Sequence, residues 1–138
     1  MRQANLFDYE EPKEEKVYTV ANINSIIAKA IKGVPELRSC WVSGEITGYK
    51  QNAAGWFFFS LKDEKDGLLA ANIWPDRMNA EMLKLLVNGN KVEAHGFISY
   101  YDSKGYPQLK IDRMRPRGLG KFYEELERLK RKLYDEGL

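Results

Sequence analysis

The sequence predicts a mainly β fold: a five-stranded barrel with one helix ahead of it, one between strands three and four, and one after strand five. Two observations lead there. The stretch from Trp41 to Glu64, WVSGEITGYKQNAAGWFFFSLKDE, reads as two long strands joined by QNAAG, a loop of small and polar residues. Downstream, the patterns run strand, helix, strand, strand, with Gly44, Gly48 and Gly96 placed where long strands must bend.

Along the chain, residues 1–16 (MRQANLFDYEEPKEEK) lack sustained periodicity and are rich in charge, which predicts a flexible acidic tail with Leu6, Phe7 and Tyr9 as a docking patch. Ile23, Ile26, Ile27, Ala30 and Ile31 share one face of a helix that Thr19 or Asn22 caps and that Gly33 and Pro35 stop. Such a short amphipathic helix should pack on something larger. Strands are expected over 41–50, 56–64, 68–74, 91–101 and 108–114, with turns at Lys65-Asp66-Gly67 and Asp102-Ser103-Lys104-Gly105. Pro75 and Asp76 open a helix whose Met78, Met82, Leu85 and Leu86 share a face and which ends near Asn88-Gly89. In the fourth strand, alternation turns Val92, Ala94, Ile98 and Tyr100 inward. Phe122, Leu126, Leu129 and Leu133 stripe a charged helix over 121–136, with Glu124 facing Arg128 and Glu127 facing Arg131 at spacing four.

This succession is that of the OB-fold barrel. In that fold, strands two and three, with the loops joining strands one to two and four to five, bind oligonucleotides or oligosaccharides. The expected organisation is a tail over 1–16, an OB domain with its leading helix over 17–117, and a C-terminal helix over 118–138.

A length of 138 residues fits one domain. No run of about 18 apolar residues occurs, and the polar, acidic first fifteen residues are unlike a signal peptide, so a cytoplasmic protein without a membrane partner is expected. Cys40 is the sole cysteine, which excludes disulfides within the chain and cysteine-ligated metal clusters. At the start of a strand it is expected to be a small buried hydrophobe. The net charge of +2 says little, but its distribution says more. Residues 1–16 hold five acidic and three basic groups, whereas residues 104–121 hold Lys104, Lys110, Arg113, Arg115, Arg117 and Lys121 against Asp112 alone. A locally basic edge is what a phosphate-binding surface requires.

The second strand carries the sharpest functional signal. Period two sends Phe57, Phe59 and Leu61 to one face and Trp56, Phe58, Ser60 and Lys62 to the other. One face is core; the other sets rings beside a cation, the mixture that stacks bases and pairs phosphates. The elements of the OB binding face hold Tyr49, Lys50, Trp56, Phe58, Lys62, Ile73, Trp74, Tyr101 and Lys104. Trp56, Phe58 and Trp74 are expected to stack on bases, with Tyr49 and Tyr101 in secondary roles. Lys50, Lys62, Arg77 and Lys104 are expected to meet phosphates. A flanking helix laid over the outward rings is the competing explanation. In the third strand, alternation separates Leu69, Ala71 and Ile73 from Leu68, Ala70, Asn72 and Trp74 without deciding which set is inward.

Catalytic patterns are missing. His95 stands in a predicted strand with no nucleophile or metal partner implied by spacing, which favours a structural role. Asp63, Glu64 and Asp66 cluster at a turn without a calcium-loop pattern. Neither a phosphate loop nor a GxGxxG motif occurs, so no catalytic residue, metal or cofactor is expected here.

Several separate motifs, YTVANINSIIAKAI, WVSGEITGYKQNAAGWFFFSLKDE, NKVEAHGFISYYDSKGYPQLKIDRMRPRGLG and YEELERLKRKLYDEGL, resemble in order the N-terminal region of the exodeoxyribonuclease VII large subunit, over roughly residues 17–138. That family shows WVxGEIS in its first strand, GHWYFTLKD in its second and LKxxLxxEGLF at the end of the region. The resemblance implies an OB domain that presents single-stranded DNA to a nuclease domain further along the full-length protein, an enzyme that degrades the strand to oligonucleotides. It also implies many copies of a small helical subunit as partner, with that contact expected outside this region. Two departures stand out. Ile73-Trp74-Pro75 takes the place of an aromatic followed by a basic residue, keeping a ring and losing a cation. Tyr106-Pro107 replaces an acidic-aromatic pair. Two other functions fit the same strand order: an anticodon-type OB module that reads RNA, and a protein-interaction barrel whose rings a partner covers.

Overall fold

A computed structural model describes residues 15–137. The proposed patch at Leu6, Phe7 and Tyr9 lies outside them. Helix α1 (Val20–Lys32) begins with a reciprocal cap in which the Thr19 hydroxyl accepts from the Asn22 N–H at 3.0 Å and Asn22 Oδ1 accepts from the Thr19 N–H at 3.3 Å. The two residues that the sequence offered as alternative caps act together. Pro35 does more than stop this helix: its fixed φ starts a second short one, α2 (Pro35–Arg38).

Five strands follow: β1 (Cys40–Gln51), β2 (Phe57–Lys62), β3 (Leu68–Ile73), β4 (Lys91–Tyr101) and β5 (Tyr106–Pro116). They close a barrel in the order β1-β2-β3-β5-β4, with β4 returning to β1, and every pairing is antiparallel except that of β3 with β5. This is the OB-fold arrangement that the strand order predicts. Between β3 and β4 the expected single helix is broken in two. Pro75–Arg77 make one 3-10 turn, after which Asn79 restarts the chain as the cap of α3 (Ala80–Leu85), its Oδ1 accepting from the Met82 N–H at 2.8 Å. Met82 and Leu86 then bury themselves in the barrel core, as their shared face predicts.

Alternation holds in β2. Phe57, Phe59 and Leu61 are buried beside Ile46, Ala71, Ile73, Val92, Ala94, Leu109, Ile111 and Met114. Two glycines permit the barrel to close. Gly48, with φ at +66°, sits at a bulge in β1 between Thr47 and Lys50, a conformation that costs little without a Cβ. At Gly96, opposite Ile111, a Cβ would lie 1.9 Å from the carbonyl oxygen of Lys110, so the strands approach this closely because no side chain intervenes.

Helix α1 attaches by polar contacts more than by burial. Asn24 of α1 donates through Nδ2 to the Asp102 carbonyl at 2.8 Å and accepts from the Tyr100 hydroxyl at 3.1 Å. Ile23, Ile26 and Ile27 stay exposed, contrary to the expected packing of that face. In α4 (Gly120–Asp135), Arg128 pairs with Glu125 instead of Glu124, because a spacing of three also places two side chains on one helix face. Phe59→Ala should lower the unfolding free energy by about 3–5 kcal/mol, the usual cost of an aromatic-to-alanine cavity, as read by urea denaturation. Gly96→Ala should destabilise more than alanine at Gly33, where the nearest atoms to an added Cβ are at 3.6 Å; equal losses would refute the close-approach account.

Candidate nucleic-acid interface

The strand register lines up outward residues into rows. Phe58 pairs with Lys50 on β1 and with Asn72 on β3, Asn72 with Lys110 on β5, and Lys110 with Phe97 on β4. One row across the barrel wall therefore reads Lys50, Phe58, Asn72, Lys110, Phe97. The row on one side of it is small and polar: Thr47, Ser60, Ala70, Gln108 and Ser99. On the other side, Trp56 comes just before β2 and Trp74 just after β3, and antiparallel pairing brings them together.

These rings form one cluster. Trp56 stacks on Phe58 with centroids 6.2 Å apart and planes within 13°, and meets Trp74 at 5.3 Å in a tilted contact. The Lys110 ammonium lies 5.6 Å from the Trp56 ring and 5.5 Å from the Trp74 ring, within cation–π range of both. The loop before β2 fixes Trp56: Asn52 Oδ1 accepts its N–H at 2.9 Å, and Gly55 turns the chain at φ +90°. Trp74 is 42% exposed, and Phe97 is 47% exposed beyond Lys110. Arg77 shares a cleft with Trp74, Phe97, Lys110, Ile111 and Asp112.

Of the residues singled out by sequence, Lys50, Trp56, Phe58, Trp74 and Arg77 come together here. Ile73 does not. It is completely buried opposite Phe57, which corrects its placement on a contact face: the β2–β3 register matches odd-numbered residues of both strands, so Ile73 belongs with Phe57 and Phe59. Tyr49 leans on the core, because the bulge at Gly48 changes the parity of β1 between Thr47 and Lys50. Lys62 lies on the same outer face but further along β2, 3.9 Å from Asp66. Tyr101 and Lys104 sit at the β4–β5 hairpin, where Tyr101 meets Tyr106 edge-on at 5.6 Å. Lys110 and Phe97, which pattern reading did not select for the site, complete it. Their signal was available in part: Lys110 belongs to the basic run, but its place over the tryptophans depends on β3 pairing with β5.

Elsewhere on the barrel, Trp41 carries the Arg115 guanidinium 3.7 Å from its ring centroid and Arg113 at 5.2 Å. Helix α4 lies beside this second group, with Tyr123, Glu124 and Glu127 facing Trp41 and Arg115 across a cleft, so it leaves Trp74 open. His95 has two side-chain partners, although its spacing in the sequence implies none. Its Nδ1 lies 2.8 Å from Asp112 Oδ1 and its Nε2 lies 3.0 Å from Ser39 Oγ. A carboxylate oxygen accepts, so Nδ1 carries the proton in the bond to Asp112. That hydroxyl–imidazole–carboxylate order is the order of a hydrolytic triad. Here it ties the residue before β1 to the β4–β5 bulge, with Trp41 5.1 Å away. Among the described residues, no group of three or more His, Cys, Asp and Glu converges as a metal site. Burial raises the Cys40 thiol above its ordinary pKa, in keeping with a packing role.

Glu93 supports the second group. The hydrogen bond from Arg115 Nε at 2.8 Å is the main cause of its lowered pKa; burial works against it, and the Gly118 N–H and the charges of Arg115 and Arg117 add to it. A carboxyl that titrates lower in the folded state stabilises the fold fully above its ordinary value, about 4.5, and loses that contribution as pH falls through the depressed value. Glu93→Gln should therefore lower the Tm at neutral pH and converge on the parent in acid. Parallel Tm-against-pH curves would contradict this.

The barrel, its strand order and its outward rings define a class. The chain belongs to the family of OB-fold nucleic acid binding domains, whose profile matches residues 18–115. More particularly, it is similar to exodeoxyribonuclease 7 large subunits, with 36% identity over 125 residues in Desulfitobacterium hafniense (strain Y51), 38% over 124 residues in Clostridium acetobutylicum and 32% over 125 residues in Halothermothrix orenii. These matches cover 89, 89 and 91% of this chain and 30% of each relative. The chain thus spans about 30% of the length of those proteins, at their N-terminal end. Among solved structures, an asparaginyl-tRNA synthetase of Entamoeba histolytica shares the fold with a TM-score of 0.51 at 16% identity, over 63% of this chain and 22% of that one.

Proposed function

We propose that this chain is the single-stranded-DNA-binding part of an exodeoxyribonuclease VII large subunit, delivering the strand to a nuclease domain elsewhere in that protein that cuts it to oligonucleotides. The observation that carries this reading is the cluster of Trp56, Phe58 and Trp74 around the Lys110 ammonium, on the face that OB barrels use for oligonucleotides. Large rings at a solvent-facing wall add little to the fold, whereas successive bases stack on them whatever their identity. Lys50, Lys62, Arg77, Lys104 and Lys110 supply charge for the phosphates around the rings. A DNA substrate goes with a cytoplasmic location, and association with the small subunit is assigned to the remainder of the large subunit. By this reading the isolated chain binds but does not cut.

Tryptophan-fluorescence titration with a DNA oligonucleotide at two salt concentrations tests the reading. If three or four cations neutralise phosphates, binding should weaken with a log-log salt slope of roughly −2 to −3. Trp56→Ala and Phe58→Ala should each weaken binding by about 1–3 kcal/mol, the range for one lost base stack, with little change in melting temperature. A flat salt dependence or a preference for duplex would overturn the proposal. Tighter binding of matched RNA would transfer the surface to an anticodon-type role.

A further inference from the structure

The ring cluster is short for the strand it is proposed to hold. A single OB barrel covers roughly 4–16 nucleotides, and three rings stack about three bases. The outward row does not end at Lys110: its next member is Phe97 on β4, 47% exposed and without a ring contact among the described residues. Beside Phe97 the wall changes. Strand β1 accompanies β4 only as far as the pair of Cys40 with Gly96, and beyond it α1 and α2 flank β4 instead.

Two clefts meet at Phe97. The first holds Trp74, Arg77 and Lys110 of the platform. The second, of about 400 Å³, lies between β4 and the helices, with Ala28 and Ile31 as its apolar side and Lys32 and Arg38 in its lining. Asn24 ties α1 to Tyr100 and Asp102, and about two turns further along the helix Lys32 comes to line this cleft with Phe97. Together the clefts carry four cations, Lys32, Arg38, Arg77 and Lys110, against two carboxylates, Asp102 and Asp112. Asp112 is engaged by His95 at 2.8 Å, and none of the four cations forms an ion pair among the described residues. An exposed ring between unpaired cations repeats the composition of the platform, and the two surfaces are continuous.

We infer that the bound strand continues from the tryptophans over Phe97 into the cleft between α1 and β4, with a base stacked on Phe97 and phosphates paired with Lys32 and Arg38. The inference rests on the single-strand reading of the platform. It makes the leading helix part of the DNA surface and lengthens the site beyond the three rings.

The test compares oligo-dT of about four and about ten nucleotides by fluorescence titration over a salt series, the shorter strand matching the ring cluster. With Lys32 and Arg38 engaged, the longer strand should show a log-log salt slope steeper by about 1.4, from about 0.7 per phosphate on single strands. Lys32→Gln combined with Arg38→Gln should remove that increment. Arg131→Gln combined with Lys132→Gln takes the same charge from α4 and should leave it in place. Phe97→Ala should weaken binding of the longer strand about tenfold, the loss of one base stack, with the melting temperature nearly unchanged. Equal slopes for the two lengths, equal slope changes in the two double variants, or parent-like binding by Phe97→Ala overturns the extension and leaves the platform standing. Binding of both lengths that is unaffected by Trp56→Ala overturns both.

Discussion

The short parallel ladder between β3 and β5 holds the interface together. Three residue pairs make it: Ala70 with Gln108, Ala71 with Leu109 and Asn72 with Lys110. It closes the barrel, and it sets Lys110 of β5 over the rings that flank β2 and β3. Its geometry in turn depends on Gly96, where β4 passes so near the Lys110 carbonyl that a methyl group would collide. A side chain at Gly96 would push apart the strands that place Lys110 over Trp56 and Trp74. Core closure and site geometry are therefore one constraint.

The same wall serves two solvents. Inward residues of β2 bury large rings beside Ile46, Ala71 and Leu109, the usual source of stability in a small barrel. Outward residues of β2 expose ring area, and beside them Asn72 of β3 has an amide oxygen without a donor among the described residues. Stability alone would favour smaller or simpler groups at these positions. Their presence makes sense if a ligand covers the rings, and residues that lower stability in the free protein often mark such surfaces.

Much of this was legible in the sequence because the deciding forces are local. Strand order, the in-and-out pattern of WFFFSLK, the Thr19 and Asn22 cap and the hairpin at Asp102 to Gly105 each depend on neighbours within a few residues. The losses come from pairing. Alternation divides β3 into two sets, but only its register with β2 shows that Ile73 is inward and Trp74 is not. Gly48 was visible as a place to bend, yet the bulge that turns Tyr49 toward the core depends on how β1 meets β2. Ser39, His95 and Asp112 are far apart in sequence and meet because β1, β4 and β5 share one wall. Lys110 was one charge in a basic run until the parallel ladder gave it a position.

The three tryptophans offer the most direct check, since two belong to the platform and the third, Trp41, lies under Arg115 beside α4. Their indole N–H signals can be followed by nitrogen-edited NMR as an unstructured DNA oligonucleotide is added, with single Trp→Phe variants providing assignments. The account predicts that the Trp56 and Trp74 indoles shift together and saturate at one stoichiometry, while Trp41 stays within its free-state line. Movement of Trp41 with Trp56 and Trp74 unchanged would place the DNA on the opposite group and contradict the assignment of the ring cluster as the binding surface.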